Sequence, residues 1–587
     1  MTDAQPNKQK FPMSFWTANT IELLERAAYY AMASFMVIYL KESLGMSPST
    51  ATLLNGSILW GLIYFLPILS GTLADKFGYK RSLSVAFFMI SLGYVVMGNI
   101  QRFWPGIIGA EAAVAIDFTV PAVLGIILIG IGGSIVKPCI AGTVQKTSGR
   151  RATLGFGIFY MIINIGSISG RGVSYFIRIN LGIPAIFTYA STIFALIGLA
   201  VVLFIYKEPE YVSDGIKDGQ KVQKKTLGQA ILGIFIVLSN IKFMFFMIVI
   251  GLFWFLYVQL YNLVPLFLRY IDPNAPVELY QLANPVMIVS FQMLITRMVK
   301  KWTPVKSIIL GAAVVTTGMF LNVLAPLLFS DTAQRVNFLG LSIPLAGLVL
   351  IASIASMATG EMMASPRIYE YLGAVAPKGE EGLFTGYANL PLALASIIGG
   401  PIGGRMFENF INTPQKSGLP VNTVPMWLII SGIGVISMIG LIIYDKFLSK
   451  IKDVYVSSTS FFSWKGRLNR VAWLGQWLSF SILSFLLLMI PEMILKGINL
   501  VFIGVAESGV YLAMRTGMVF IYIIVPLFLI SFPMMKRLHD LNKPDWHFFL
   551  LLIPIINIYL LLICFLKKGT SGPNQYGHDP LAPHSQS

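Results

Sequence analysis

Glu22, Glu25, Arg26 and Tyr29 recur at helical spacing inside one mostly apolar run near the N-terminus. On a helix the two carboxylates, the guanidinium and the phenol share a face, and Glu22 can pair directly with Arg26 at i,i+4. One negative charge is left over. Burial and like charge both disfavour two ionised acids side by side, so the cluster can hold a proton near neutral pH. Without a function, the same residues would be a structural ion pair at a helix end. Two more charges interrupt apolar runs: Lys137 in Gly130-Ile-Gly132-Gly133-Ser-Ile-Val-Lys137-Pro138, and Glu361 in Gly360-Glu361-Met-Met-Ala-Ser365-Pro366. A charge at a bilayer centre costs at least about 2.5–3.5 kcal/mol and normally faces protein or water. The expectation is therefore a Lys137–Glu361 bridge that could act as a gate. The alternative is a Lys137 that snorkels to an interface and a Glu361 hydrogen-bonded by itself.

Other chemistry finds little support. The two cysteines, Cys139 and Cys564, are far apart in apolar runs, which argues against a disulfide framework or a thiolate metal site. His539, His578 and His584 have no HxxxH or HExxH spacing, so neither a metal nor a catalytic base is expected. An enzyme is the least favoured class, and no cofactor is expected beyond a proton as coupling ion.

The elements that must hold these residues are membrane helices. Of 587 residues 56% are hydrophobic and only 12% charged, so lipid is the expected solvent for most of the chain. Apolar runs predict spans near 15–40, 50–73, 82–99, 119–144, 153–177 and 184–206. A second six follow near 240–268, 280–299, 305–328, 340–373, 382–408 and 425–446. The net charge of +17 gathers in the alternate loops Asp75–Arg81, Lys146–Arg151, Lys207–Lys225, Arg297–Lys306 and Asp445–Arg470. That is a topology signal placing these loops and the N-terminus in the cytoplasm of a multi-pass inner-membrane protein, not a nucleic-acid surface. The first run is long, holds Glu22, Glu25 and Arg26, and lacks a small-residue cleavage site, so it reads as a helix rather than a signal peptide. The domains expected are a six-helix bundle over 1–206, a cytoplasmic linker over 207–239 with an amphipathic segment, a second bundle over 240–450 and a C-terminal membrane domain over 451–587.

The loop after the second run reads Gly71-Thr-Leu-Ala-Asp75-Lys76-Phe-Gly78-Tyr-Lys80-Arg81. Here the chain resembles the major facilitator superfamily, matching the charged and glycine positions of its loop motif. Arg297 to Lys306 is a weak echo in the second half, as two related repeats would require. The resemblance implies a twelve-helix all-α fold of two pseudo-symmetric bundles, with this loop as a latch between them and alternating access about a central cavity.

Within that superfamily the chain is similar to the proton-dependent oligopeptide transporters. The likeness rests on Glu22-x-x-Glu25-Arg26-x-x-Tyr29-Tyr30, the stretch ending Lys137-Pro138, Phe159-Tyr160-x-x-Ile-Asn164-x-Gly166-Ser167, Trp254 with Gln259, and Asn284-Pro285 with Gly360-Glu361 and Ser365-Pro366. It implies proton coupling at Glu22, Glu25 and Arg26, a gate at Lys137 and Glu361, and a substrate pocket lined by Tyr29, Tyr30, Tyr160, Asn164, Trp254, Asn284, Glu361 and Ser365. Ala33 and Val258 depart from the pattern of peptide carriers, which place an arginine and an aspartate there. A di- or tripeptide remains the leading substrate, imported by proton symport. A carrier or exporter of another small solute, or a transporter-like sensor, are the alternatives. The expected partners are the solute and lipid, and a monomer is expected.

From residue 459 the chain changes character, with Phe462-Ser-Trp464-Lys465-Gly466-Arg467, then Lys536-Arg537-Leu538-His539-Asp540-Leu-Asn-Lys543-Pro-Asp-Trp546, then Gly569-Thr-Ser-Gly572-Pro-Asn574-Gln-Tyr576-Gly577. This resembles bacterial domain-of-unknown-function family 805. Runs near 472–495, 508–533 and 547–566 predict three helices, with a fourth conceivable near Pro491–Val505, and His539-Asp540 could form a proton-sensitive pair.

Overall fold

The computed structural model describes residues 11–104, 118–209, 227–329, 334–338, 340–375, 387–450, 461–501 and 509–581. Much of the basic 207–225 loop, part of the 445–470 loop, and His584 lie outside these. Two compact units emerge: one from residues 1–227, 248–376 and 384–442, the other from 228–247, 377–383 and 443–587.

The first unit is helical nearly throughout. Its first six spans are α1 (Met13–Ala33), α2 (Pro48–Ala74), α3 (Tyr79–Gly98), α4 (Thr119–Ser148), α5 (Ala152–Leu181) and α6 (Ile183–Ile205). After a short helix, α7 (Leu227–Leu238), come α8 (Ile241–Ile271), α9 (Val277–Val299), α10 (Pro304–Leu328), α11 (Leu345–Val375), α12 (Leu390–Lys416) and α13 (Val424–Lys446). Among the described residues twelve helices are long and apolar enough to cross a membrane, eleven of them before residue 451 and the last at Tyr522–Asp540. The charges of Glu22, Glu25 and Arg26 keep α1 out of that set, although Glu22, Glu25 and Arg26 are all buried.

Two prolines shape the spans by freeing a carbonyl that a side chain then satisfies. Pro138 inside α4 leaves the Ser134 carbonyl without its helical donor, and Ser70 Oγ of α2 donates to it at 2.8 Å. Pro265 does the same to Tyr261, whose carbonyl accepts from Asn55 Nδ2 at 3.1 Å. The expected continuous helix over 240–268 is therefore interrupted at Leu260–Asn262 and resumes to Ile271. The expected helix over 340–373 also starts later. Residues Leu341–Pro344 form a strand, β2, antiparallel to β1 (Arg335–Phe338), because Gly340 turns the chain at φ +81° and pairs Phe338 with Leu341. The run expected over 382–408 begins its helix at Leu390, with 376–386 outside the described residues.

In the second unit α7 corrects the expectation of a plain amphipathic linker. Its twelve residues carry one polar side chain, Gln229, and Phe235 and Ile236 join a core with Phe461, Trp473, Phe480, Phe532 and Leu538. Two long helices follow, α14 (Arg470–Val501) and α15 (Gly509–Asp540), then a 3-10 stretch Asp545–Leu552 and α16 (Pro554–Leu566). No separate helix starts at Pro491, since α14 runs through it; 502–508 lie outside the described residues. The α-helix expected over 547–566 starts only at Pro554. Proline holds the preceding Ile553 extended at φ −96°, ψ 112°, which ends the 3-10 stretch.

The three C-terminal signatures converge on one buried network. Arg467 pairs with Asp540 at 3.0 Å and donates to the carbonyls of Gly572 at 2.6 Å and Thr570, while Arg537 pairs with the same Asp540 and donates to Cys564 O at 3.0 Å. His539 does not pair with Asp540, whose carboxylate is taken by the two arginines. Its ring contacts Asp545 and the Gly466 carbonyl and stacks on Tyr576 at 4.0 Å.

Candidate functional site

The acids of α1 lie where glycines bring two helices together. A Cβ at Gly166 would fall 2.8 Å from the Arg26 Cβ, and one at Gly170 only 2.3 Å from Ala27 O, so α1 and α5 can meet this closely only through glycine. Arg26 makes a close ion pair with Glu25 and leans over the Tyr29 ring at 5.4 Å. Its Nε stands 3.4 Å from Glu22 Oε1. Glu22 is fully buried, and neither of its oxygens accepts a hydrogen bond. A buried carboxylate with no donors is costly as an anion and comfortable as an acid, so this is a place where a proton can sit.

Lys137 and Glu361 do not form the expected bridge. Lys137, on α4, feels the charges of Arg26, Glu22 and Glu25 of α1 but forms no ion pair with them. Glu361, on α11, accepts instead from Asn284 Nδ2 of α9 at 3.2 Å. Glu361 thus has a partner within its own half.

Between these charges runs an aromatic wall. Tyr29 and Tyr30 meet edge-on at 5.2 Å, Tyr30 approaches Tyr261 at 6.5 Å, and Trp60 packs on Tyr261 at 4.8 Å and on Tyr64 at 5.4 Å. Trp254 is buried and meets Tyr257 edge-on at 5.4 Å. Tyr64, Tyr160 and Tyr257 all lie within electrostatic reach of Glu361. Tyr160 packs among Ile288, Ala358 and Met362, and the Asn164 amide one turn on donates to the Tyr160 carbonyl at 3.0 Å. Tyr30, Tyr64, Lys137, Tyr160, Tyr257, Glu361 and Ser365 are half-buried within their spans. Gln259 is taken up by helix packing, donating to Gly399 O at 3.1 Å.

The two six-helix halves are joined by polar contacts at the ends of spans away from the basic loops. Arg178 of α5 pairs with Glu278 of α9 at 2.9 Å, Ser34 donates to Gln281 at 2.7 Å, and Asn55 Nδ2 reaches Asn262 at 3.1 Å. Arg171, buried in α5, donates to Ser167 Oγ on its own helix and to the Tyr261 hydroxyl of α8 at 3.0 Å. The sequence reading passed over Arg171, Arg178, Glu278, Tyr64, Tyr257, Tyr261 and Trp60. Arg171 had the same signal as Lys137, a charge within an apolar run. The aromatics had none, since a ring in a membrane helix packs equally well on lipid.

The glycine loop after α2 is anchored inside the first half. Gly78 has φ +90°, Glu208 accepts from the Lys80 amide at 3.0 Å, and Lys146 stands 4.0 Å over the Tyr79 ring. These partners lie in the linker, at Glu208, and in the first bundle, at Lys146. Lys76 leans on Phe77, a Cβ at Gly71 would come 3.5 Å from Pro138, and Arg81 is exposed; the Asp75 side chain lies outside the described residues.

Residues 21–360 match the Major Facilitator Superfamily. The chain belongs to this superfamily. It is thus a multi-pass membrane protein of a transporter fold, and residues 461–578 add a match to a protein family of unknown function, DUF805. Over 165 residues this superfamily member is 30% identical to dipeptide and tripeptide permease A of Cronobacter turicensis and 29% identical to that of Escherichia coli K12, each match covering 27% of this chain and 30% of the permease. The match therefore spans less than a third of the length of those permeases. Among solved structures, a proton-dependent oligopeptide transporter is 22% identical with a TM-score of 0.55, covering 74% of this chain and 98% of that one. A POT family transporter in complex with 5-aminolevulinic acid is 17% identical with a TM-score of 0.56, covering 75% and 97%. These likenesses give the superfamily member its twelve-helix fold.

Proposed function

We propose that this protein is a proton-coupled symporter that imports di- or tripeptides by alternating access. The observation that carries the reading is Glu22, fully buried beside Arg26 with both oxygens free of donors, with a second span acid, Glu361, in the other half. A proton on Glu22 neutralises a buried acid, and its release lets Arg26 and Lys137 take the charge, so proton occupancy and helix packing are coupled. The names of the permeases and oligopeptide transporters it resembles supply the substrate class. The proton is the coupling ion and no other cofactor takes part. In this reading the site is Glu22, Glu25 and Arg26 for proton coupling, Lys137 and Glu361 for gating, and Tyr29, Tyr30, Tyr160, Asn164, Trp254, Asn284 and Ser365 for the solute.

The two bundles span 1–206 and 240–450, and the C-terminal domain, 451–587, has no assigned chemistry. The basic loops and the N-terminus face the cytoplasm of a bacterial inner membrane. A second reading, a small non-peptide zwitterion as substrate, is favoured by Ala33 and Val258 and by the structural neighbour that holds 5-aminolevulinic acid.

The test is uptake of labelled dialanine into proteoliposomes with and without an inward proton gradient, with Glu361→Gln as control. Gradient-dependent accumulation that the variant loses is expected. Correctly inserted protein that takes up no di- or tripeptide would overturn the peptide assignment.

A further inference from the structure

Several charges buried within the spans of the first unit are paired: Glu22 and Glu25 flank Arg26, and Arg178 pairs with Glu278 at 2.9 Å. Among the described span residues without an ion pair, two groups of opposite sign flank one helix. Glu361 has only the amide of Asn284 for a partner, and Arg171 has only neutral ones: the Ser167 hydroxyl, the Tyr261 hydroxyl at 3.0 Å and the Tyr30 ring at 4.8 Å. Arg171 is 0% exposed and its Nε has no acceptor. A guanidinium offers five donors in a plane suited to a carboxylate, and without a counter-anion its burial is among the most expensive arrangements a membrane helix can hold.

The two unbalanced groups are linked through α8. Tyr261 bonds Arg171, while Tyr257, one turn earlier and 6.0 Å away ring to ring, lies within electrostatic reach of Glu361. Neighbouring rings of α8 thus adjoin the base and feel the acid. The Arg171–Tyr261 bond also joins the two halves. Alternating access breaks it when the halves part on that side, and the guanidinium then faces the open cavity with an empty set of donors.

We propose that Arg171 binds the anionic end of the transported solute, so that this carrier selects zwitterions with a free carboxylate. The inference rests on the cavity being the transport site, and it deepens that reading by naming a residue outside the motif positions. A carboxylate on Arg171 would replace the Tyr261 hydroxyl with a charged acceptor, and Glu361 would face the cationic end.

The experiment measures binding to the full-length protein in nanodiscs, as thermal stabilisation followed by tryptophan fluorescence, using matched pairs: dialanine with dialanine amide, and lactate with lactamide. For the wild type the carboxylate of each pair should half-saturate at a concentration roughly tenfold or more below its amide. Arg171→Gln should erase the difference, Arg171→Lys should keep part of it, and Tyr261→Phe, which removes a hydrogen bond but no charge, should keep all of it. If Arg171→Gln retains the preference, if Tyr261→Phe loses it equally, or if the wild type shows none in either pair, the proposal is wrong. Should Arg171→Gln fail to fold, the contrast between Arg171→Lys and Tyr261→Phe decides it alone. A preference for lactate that needs Arg171, in protein that does not transport dialanine, would sink the peptide assignment and leave the anion site standing.

Discussion

The membrane body and the C-terminal unit both bury arginines against acids, and they complete the arrangement differently. In the C-terminal unit Asp540 is shared by Arg467 and Arg537, whose further donors reach the carbonyls of Thr570, Gly572, Cys564 and Lys567. In the body, Glu22 has two oxygens without donors, Arg171 lacks an anion, and Glu361 has one amide. A saturated network has one state and holds a fold. An unsaturated one has room for a proton or a solute, and its residual cost is met when that partner arrives.

The comparison breaks most readily at Asp540. Asp540→Asn leaves two buried guanidinium groups without a counter-charge, at an expected cost of about 3–5 kcal/mol. Hydrogen exchange should show residues 461–581 losing protection. Retained protection would mean that the apolar core around Trp473 and Phe480, not the network, holds this unit.

Glu22→Gln should behave in the opposite way. With no hydrogen bonds on the carboxylate to lose, stability should stay within about 1 kcal/mol of wild type, while proton-driven uptake falls at least about tenfold. Unfolding on this substitution would make Glu22 a structural acid like Asp540.

Between these lies Glu278→Gln, which weakens the pair with Arg178 where the halves meet. A loss of about 1–3 kcal/mol in thermal stability is expected, together with faster labelling of a cysteine placed at the half-buried Thr50, since opening on that side becomes easier. Unchanged labelling would assign the pair to packing alone.

The smallest effect concerns Asp579, near the end of the described chain. Amide donors from Gly572 at 3.0 Å and Leu581 at 2.9 Å hold its carboxyl below the usual 3.8. A depressed carboxyl stabilises the fold above its unfolded pKa and loses that contribution as pH falls through the folded value. Exchange at the Gly572 and Leu581 amides, corrected for intrinsic rate, should therefore be flat from about pH 5 to 8 and quicken only below about pH 4.

Hydropathy made the spans legible because lipid demands uninterrupted apolar length, and α2 to α6 start within a few residues of the expected runs. Breaks within spans were less readable. Pro138 leaves α4 helical while α8 breaks just before Pro265, although each freed carbonyl accepts from a side chain of α2. The α1 cluster was legible because Glu22 and Arg26 are neighbours along one helix. The surroundings of Lys137 were not, since they depend on how α1 and α4 pack. The hairpin before α11 was hidden because Leu341–Pro344 is as apolar as the helix it precedes.

The central claim is that solute and proton cross together through the α1 cluster. Proteoliposomes loaded with a pH-sensitive dye, given an inward dialanine gradient and no imposed proton gradient, measure this directly. Wild-type protein should acidify the lumen as dialanine enters, and Glu22→Gln should exchange dialanine without acidification. Equal acidification by Glu22→Gln, or dialanine entry through wild-type protein with no pH change, would contradict the account.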